Sequence, residues 1–503
     1  MRLAVVVLSL LLAAPAFAAA PLWPTVSWQT STPEQQGMSS GALADLIDTV
    51  GTRMQDSLLV ERHGMIVAEA YYAPYRGGIP HDLRSVTKSI IGTLTAIEIS
   101  EGLLDNTNHP VLDLFKDKHI ENIDTNKTAM TVQDLLNMTS GLRWHEEHYT
   151  PDETIMRMYH APDPTAFVLD QPMSSPPGTK FYYDSGNPYV LSAIITRRAG
   201  MSAWDFAKQK LFGSLGITTA HWGKPDAQGV TDGEAGLWLD PRDMLKIGYL
   251  YLHQGMWDGQ QIIPASWVTY AEAGKVPATL GLHYANLWWS MPEKGALMAL
   301  GRHSQRILVL PKYDIVAAMT GYMPDDEYYP AVRLINDIVA AVKSDHALPS
   351  NPIGQSALTA SIAAAASEQP LPVGGAPPLQ DTVSGRTYQL DENRLHITTI
   401  SLRLTGKDPT YVVATNNGKP GAITHYFAGP LGLDGRFRVA SPQRFGIAAA
   451  RGRWVSDSSL EVERRILGYG ATQRWLLTFD GNDITVHFVD TDGDKALVHG
   501  RAN

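Results

Sequence analysis

No cysteine occurs anywhere in the 503 residues. That absence removes disulfides, thiol nucleophiles and thiolate metal sites together, so stability has to come from buried apolar surface, and a lipoprotein-type anchor, which needs a cysteine, is excluded. The sequence also has no uncharged apolar run of the ~20 residues that a membrane-spanning helix requires. Its first twenty residues come nearest, with Arg2, an apolar stretch from Leu3 to Leu12 and the small-x-small triplet Ala16-Phe17-Ala18. This pattern predicts a signal peptide over residues 1–20, cleaved near Ala18 to Ala20, and an exported chain, periplasmic or secreted. Positive charge is scarce as well: the net charge is −10 and no basic stripe is present, which argues against a nucleic-acid partner. Apolar and aromatic residues, in contrast, are at ordinary globular levels, 44% and 9%, and the length calls for more than one core.

Side-chain periodicity divides the rest of the chain into elements. Gly41 to Arg53 has helical spacing, and Ser57 to Tyr72 alternates like two strands about a His63-Gly64 turn. Ser85 to Gly102 is apolar on every side (Val86, Ile90, Ile91, Leu94, Ile97, Ile99), as expected of a buried helix that Gly102 stops. Thr131 to Met138 and Pro188 to Arg198 read as helices; Leu297 to Leu300, Gln305 to Leu310 and Tyr313 to Met319 as strands; Pro330 to Lys343 as a closing helix. Strands at both ends with helices between predict an α+β domain over residues 21–345. Residues 346–378, rich in Ala, Pro, Ser and Gly, read as a linker. Residues 379–503 carry short, turn-separated alternating segments, which predict an all-β antiparallel sandwich or barrel.

The chemistry concentrates at Ser85-Val86-Thr87-Lys88, where a hydroxyl and an amine at i and i+3 share one helix face. A serine hydroxyl is a weak nucleophile until a neighbouring base takes its proton, and a lysine serves once its own pKa is depressed, which burial in this apolar helix is expected to do. The Ser85 amide at the helix start can face a developing oxyanion. Tyr183, on the loop after Pro177-Gly178, is placed to relay a proton, and Gly301-Arg302 between two strands offers a second oxyanion amide. Taken singly these signals are weak, since Ser-x-x-Lys pairs also arise by chance.

Taken together, Ser85-x-x-Lys88, the helix ending at Gly102-Leu103-Leu104-Asp105, the box from Thr131 to Leu142 and Pro177-Gly178 leading to Tyr183 resemble the β-lactamase-related serine hydrolases in order and spacing. The chain is most similar to the branch of 6-aminohexanoate-dimer hydrolases and related esterases, over roughly Trp28 to Lys343. The resemblance implies an antiparallel sheet with flanking helices and a helical subdomain, Ser85 as nucleophile, Lys88 as base, Tyr183 as proton relay, and the Ser85 and Arg302 amides as the oxyanion hole. Two departures bear on substrate. Tyr183-Asp184-Ser185 replaces the family's Tyr-x-Asn, and Ala299-Leu300-Gly301-Arg302 stands where Lys-Thr-Gly would hold a substrate carboxylate. Both turn the reading from β-lactam rings toward linear esters or amides.

Trp144 to His148 is expected as a loop at the cleft rim, and Ser185, His303, Trp144 and His145 are candidate substrate contacts, although His303 reads first as a histidine hydrogen-bonded in a turn. Trp144-His145-Glu146-Glu147-His148 lacks the His-Glu-x-x-His spacing of a zinc helix, and Asp490-Thr491-Asp492-Gly493-Asp494 lacks the glutamate that closes a calcium loop. The expectation is therefore an enzyme without metal or organic cofactor, acting on a small-molecule ester or amide through a Ser85 acyl-enzyme. The alternatives are a β-lactamase or D-alanyl-D-alanine peptidase, and a non-catalytic binding protein that retains the fold. A binder has no reason to keep Ser85, Lys88 and Tyr183 together.

Overall fold

The computed structural model describes residues 22–324, 330–416, 424–442 and 446–502. The expected signal peptide lies outside the described residues.

A nine-stranded sheet forms the centre of the first domain. In chain order its strands are β1 (Gln29–Thr30), β2 (Gln55–Arg62), β3 (Met65–Tyr71), β4 (Val276–Pro277), β5 (His283–Ala285), β6 (Trp288–Met291), β7 (Ala296–Gly301), β8 (Gln305–Leu310) and β9 (Ile315–Gly321). Their spatial order is β1-β3-β2-β9-β8-β7-β6-β5-β4, antiparallel throughout except for the β1/β3 pair. The strand alternation creates two cores. Leu58, Val60, Leu308 and Met319 face one side, covered by α1 (Ser40–Gly51), while Leu59, Ile307, Val309 and Ala318 face the other, covered by α2 (Val86–Ser100), α3 (Gly186–Ala199) and α4 (Pro241–Leu252). Helix α5 (Ala331–Ala341) packs on the α1 side.

The stretch read as a linker is in part a helix. Asn351 caps it through the Gly354 amide at 3.0 Å, Pro352 takes its first position, and α6 (Pro352–Ala365) lies against α1. Alanine has the highest helix propensity, so an Ala-rich run with a start signal helps build the first domain instead of merely spanning to the next.

The last domain is a ten-stranded antiparallel sheet curled into a nearly closed barrel. Its strands are β10 (Thr387–Leu390), β11 (Ile397–Arg403), β12 (Thr410–Thr415), β13 (His425–Pro430), β14 (Arg438–Val439), β15 (Ile447–Trp454), β16 (Ser459–Leu467), β17 (Ala471–Asp480), β18 (Asp483–Asp490) and β19 (Lys495–Ala502). The order runs β13-β12-β11-β10-β19-β18-β17-β16-β15-β14, and the edge strand β13 comes back against β14 and β15. The barrel is docked firmly. Arg465 pairs with Asp56, a buried carboxylate that also meets His81 Nε2 at 3.1 Å, and Leu467 and Phe437 pack with Tyr75 and Ile79 of the first domain.

Candidate active site

Ser85 is the N-cap of α2, and the residue before it, Arg84, holds a left-handed backbone (φ 49°) that turns the chain from the sheet into the helix. Three residues on, Lys88 is fully buried, with its ammonium nitrogen 2.9 Å from Ser85 Oγ, 3.0 Å from the Glu234 backbone oxygen and 3.0 Å from Glu234 Oε2. All three N–H donors of the lysine are thereby used. Tyr183 stands on the same side: its ring centroid is 5.0 Å from Lys88 Nζ, and Trp289 of β6 stacks on it at 5.8 Å.

Boxes that stand apart in the sequence are one structure. Thr131 and Asp134 form a reciprocal capping box, the Gly178 amide donates to Thr139 O at 2.8 Å and the Tyr182 amide to Met138 O at 2.9 Å. The Thr-Ser-Gly turn thus holds the Pro-Gly loop that delivers Tyr183.

The end of β7 runs beside the nucleophile. A side-chain Cβ on Gly301 would lie 3.2 Å from the Ser85 amide nitrogen and collide with the Leu83 carbonyl, so glycine is what permits this approach. Arg302 follows directly, and the Ser85 amide itself donates to no described residue.

The electrostatics depart from expectation. Burial does oppose the charge on Lys88, but the negative potential of Tyr183, Glu234, Glu146 and Tyr149 outweighs it, and the lysine pKa lies well above its ordinary value. The depressed lysine expected from its apolar helix is therefore not what the site builds: a charge inside low dielectric is held by its partners. Glu234, although buried, is kept ionised by Lys88 and by hydrogen bonds from Tyr159, Lys88 and Ser185. Around this pair sit carboxyls raised by burial: Asp232 to about 7, where the Glu234 charge adds, Glu146 to about 6, and Asp184 well above the usual range. Burial likewise raises Tyr183, although Lys88 restrains the shift. At neutral pH the resting site holds an ammonium, a carboxylate and a phenol.

Of the four candidate substrate contacts, three are buried. Ser185 is completely buried, with its hydroxyl donating to Glu146 Oε1 at 3.0 Å. Trp144 is buried and donates to Glu146 Oε2 at 2.5 Å. Both form the wall behind the site, because Glu146 needs their donors to remain ionised. His303 is buried too, between Met323 O at 2.9 Å and Asp492 Oδ1 at 3.0 Å. His145 alone of the four is exposed, on the loop 3.9 Å from a Glu153 carboxylate oxygen.

Sequence reasoning does not reach Glu234, Glu146 or any contribution of the barrel. Tyr469, in the β16–β17 turn, accepts Arg84 Nη2 on its carbonyl at 3.0 Å and lays its ring 4.6 Å from that guanidinium. Asp492, in the β18–β19 turn, also lies 3.5 Å from Arg302 Nη2. Glu146 is visible in the sequence only as part of a rejected metal pattern, and Glu234 sits in Thr231-Asp232-Gly233-Glu234, which has no periodic or motif signal.

The sequence matches the Beta-lactamase family over residues 43–329, more than half of the chain, and the chain belongs to that family. The match stops before the barrel. The 6-aminohexanoate-dimer hydrolase of Paenarthrobacter ureafaciens is 24% identical over 322 residues, which cover 59% of this chain and 81% of that protein. Among solved structures, a Bacillus anthracis protein provisionally assigned as a 6-aminohexanoate-dimer hydrolase superposes with a TM-score of 0.52 at 21% identity, over 65% of this chain and 90% of its own. EstCE1, a hydrolase with promiscuous acyltransferase activity, gives 0.51 at 16%, over 61% and 99%. These likenesses establish the β-lactamase/transpeptidase fold, and the chain is a serine hydrolase of that family.

Proposed function

We propose that this protein hydrolyses a carboxylic ester or a linear amide through an acyl-enzyme on Ser85. The observation that carries the reading is the buried line Ser85 Oγ, Lys88 Nζ, Glu234 Oε2, each step 2.9–3.0 Å. As Oγ attacks the carbonyl carbon its proton moves to Lys88 Nζ while a Lys88 proton moves to Glu234 Oε2 in the same step, so that no free amine precedes the attack. The Ser85 and Arg302 amides receive the oxyanion. Tyr183 gives its proton to the departing alkoxide or amine and regains one from the Lys88 ammonium; in the second half-reaction the same groups take a proton from water as it attacks the acyl carbonyl. No step calls for a metal.

Linear substrates are favoured by the residues at the end of β7: Ala299 and Leu300 bring neither a cation nor a hydroxyl with which to hold the carboxylate of a β-lactam. The relative from Paenarthrobacter ureafaciens is named a 6-aminohexanoate-dimer hydrolase, which makes 6-aminohexanoate oligomers the first amide substrates to try. The apolar leader makes the periplasm or the medium the proposed place of action.

The test is a fluorophosphonate probe with a panel of p-nitrophenyl esters, 6-aminohexanoate oligomers and nitrocefin. Expected are a single label on Ser85, turnover of an ester or linear amide, and loss of both in Ser85→Ala. Absence of label and of turnover on every ester and amide overturns the proposal, and nitrocefin as the best substrate restores the β-lactamase reading.

A further inference from the structure

A cavity of about 700 Å³ occupies the mouth of the barrel; Ser85 does not line it, and Ile79 and Trp238 of the first domain complete its wall. That size falls within the roughly 300–1,000 Å³ typical of small-molecule sites. Small barrels usually fill their interior with side chains, or else hold one ligand. Here the walls are Ile397, Val413, Phe427, Ile466 and Trp475, all apolar, projecting inward from five strands and their ends.

Among the described lining residues one guanidinium interrupts this surface. Arg464 of β16 is buried, with Nε donating to the Tyr411 hydroxyl at 3.0 Å and Nη1 to Gln473 Oε1 at 2.8 Å, and its guanidinium lies 5.3 Å from the Phe427 ring. Both hydrogen-bond partners are neutral. Among the described residues Arg464 makes no ion pair, and Nη2 has no hydrogen bond. Among the described residues the two most deeply buried arginines, in contrast, each find a carboxylate: Arg62 has Asp345 and Arg465 has Asp56. A buried guanidinium without a counter-charge is costly unless an anion completes it. Among the described residues of the cavity wall the one carboxylate, Asp490, lies on β18, two strands from Arg464, and accepts the Asp494 amide at 2.9 Å.

We infer that the barrel binds a single-chain amphiphile with a carboxylate head, its tail against the apolar wall and its head on Arg464. The planar fork of the guanidinium suits a carboxylate, and the Asp490 side of the wall, being acidic, directs the head toward Arg464. None of Ser85, Lys88, Tyr183 and Glu234 lines this cavity, although Tyr469 on its wall also holds Arg84 beside Ser85, and the inference does not depend on what Ser85 cleaves.

The experiment titrates the full chain with dodecanoate and with dodecanol by calorimetry, for wild type and Arg464→Gln. Expected is saturable 1:1 binding of dodecanoate, at least tenfold tighter than dodecanol, with that preference lost in Arg464→Gln while circular dichroism is unchanged. No saturable dodecanoate binding below its micellar concentration overturns the inference, as does equal affinity of wild type for acid and alcohol. So does dodecanoate binding to a folded Arg464→Gln with wild-type affinity, or competitive inhibition of hydrolysis with a constant equal to the calorimetric Kd, which would locate the ligand at Ser85. Should Arg464→Gln fail to fold, the acid-against-alcohol comparison in wild type still decides.

Discussion

Asp492 connects the barrel to the strand end that carries Arg302, whose amide is proposed as the second oxyanion donor, and its replacement by asparagine is the most informative single change. Burial alone would raise this carboxyl, yet the hydrogen bond and charge of His303, with Arg84 and Arg302, hold it at about 2 against an ordinary 3.8. A shift of that size corresponds to roughly 2.5 kcal/mol at ~1.4 kcal/mol per unit, and because the side chain is 35% exposed, solvent screening reduces the figure to about 1 kcal/mol. The folded pKa is depressed, so this contribution is present above pH ~4 and is lost as pH falls through about 2. The catalytic effect should exceed the stability effect. His303 and Ser304 are non-glycine residues with left-handed backbones (φ 61° and 77°), a conformation that persists only when held, and Asp492 is one of the two hydrogen-bond partners of the His303 ring. With a donor to the oxyanion worth about 3 kcal/mol, even partial misplacement of Arg302 lowers kcat tenfold or more. The assay is steady-state hydrolysis of a p-nitrophenyl ester by Asp492→Asn beside a thermal melt. Expected is a kcat loss of at least tenfold with KM within threefold and a small fall in Tm. Wild-type kcat in a destabilised Asp492→Asn would refute the reasoning and leave the turn a purely structural contact.

The same geometry sets other outcomes. Glu234→Gln removes the acceptor for the Lys88 proton and should cut kcat by about 10²–10⁴, the range of a general acid–base contribution; activity within threefold of wild type would remove Glu234 from the proton path. Gly301→Ala places a methyl against the Leu83 carbonyl and the Ser85 amide, so a folded protein with sharply reduced fluorophosphonate labelling is expected, and undiminished labelling would show that β7 does not approach the nucleophile in this way. Glu146, held at about 6, should give an acid limb near pH 6 in the pH–rate profile, because protonation turns one of its acceptor oxygens into a donor facing Ser185; in Glu146→Gln that limb should disappear. Glu98 is buried in α2 with neither carboxyl oxygen hydrogen-bonded, and burial lifts it to about 8. Its folded pKa is raised, so the folded state keeps a proton that the unfolded chain has lost, and stability should fall between pH ~4.5 and 8 by up to about 5 kcal/mol; thermal melts of Glu98→Gln should be flatter across that window.

The parts of this protein legible in its sequence are those whose cause is local. The His63-Gly64 hairpin, the apolar helix after Ser85, strand β8 and the Ser85/Lys88 pair arise from side-chain periods of 2 and 3.6 and from turn residues, which neighbouring positions encode by themselves. Strands whose composition is Ala, Gly and Arg, such as β15 from Ala448 to Arg453, or mixed, such as β19, carry no period by which to find them. They exist because neighbouring strands of the barrel pair with them. At the site the division is the same. Sequence alone determined that a hydroxyl and an amine share the first turn of a buried helix, and four boxes in register identified the family. Only the tertiary structure decided the protonation state of that amine, because its partner Glu234 lies 146 residues away along the chain. Only the tertiary structure brought Tyr469 and Asp492 from the barrel to the edges of the site and left Arg464 without a counter-charge inside the barrel, since distant charges meet through packing and no local pattern records where they will meet.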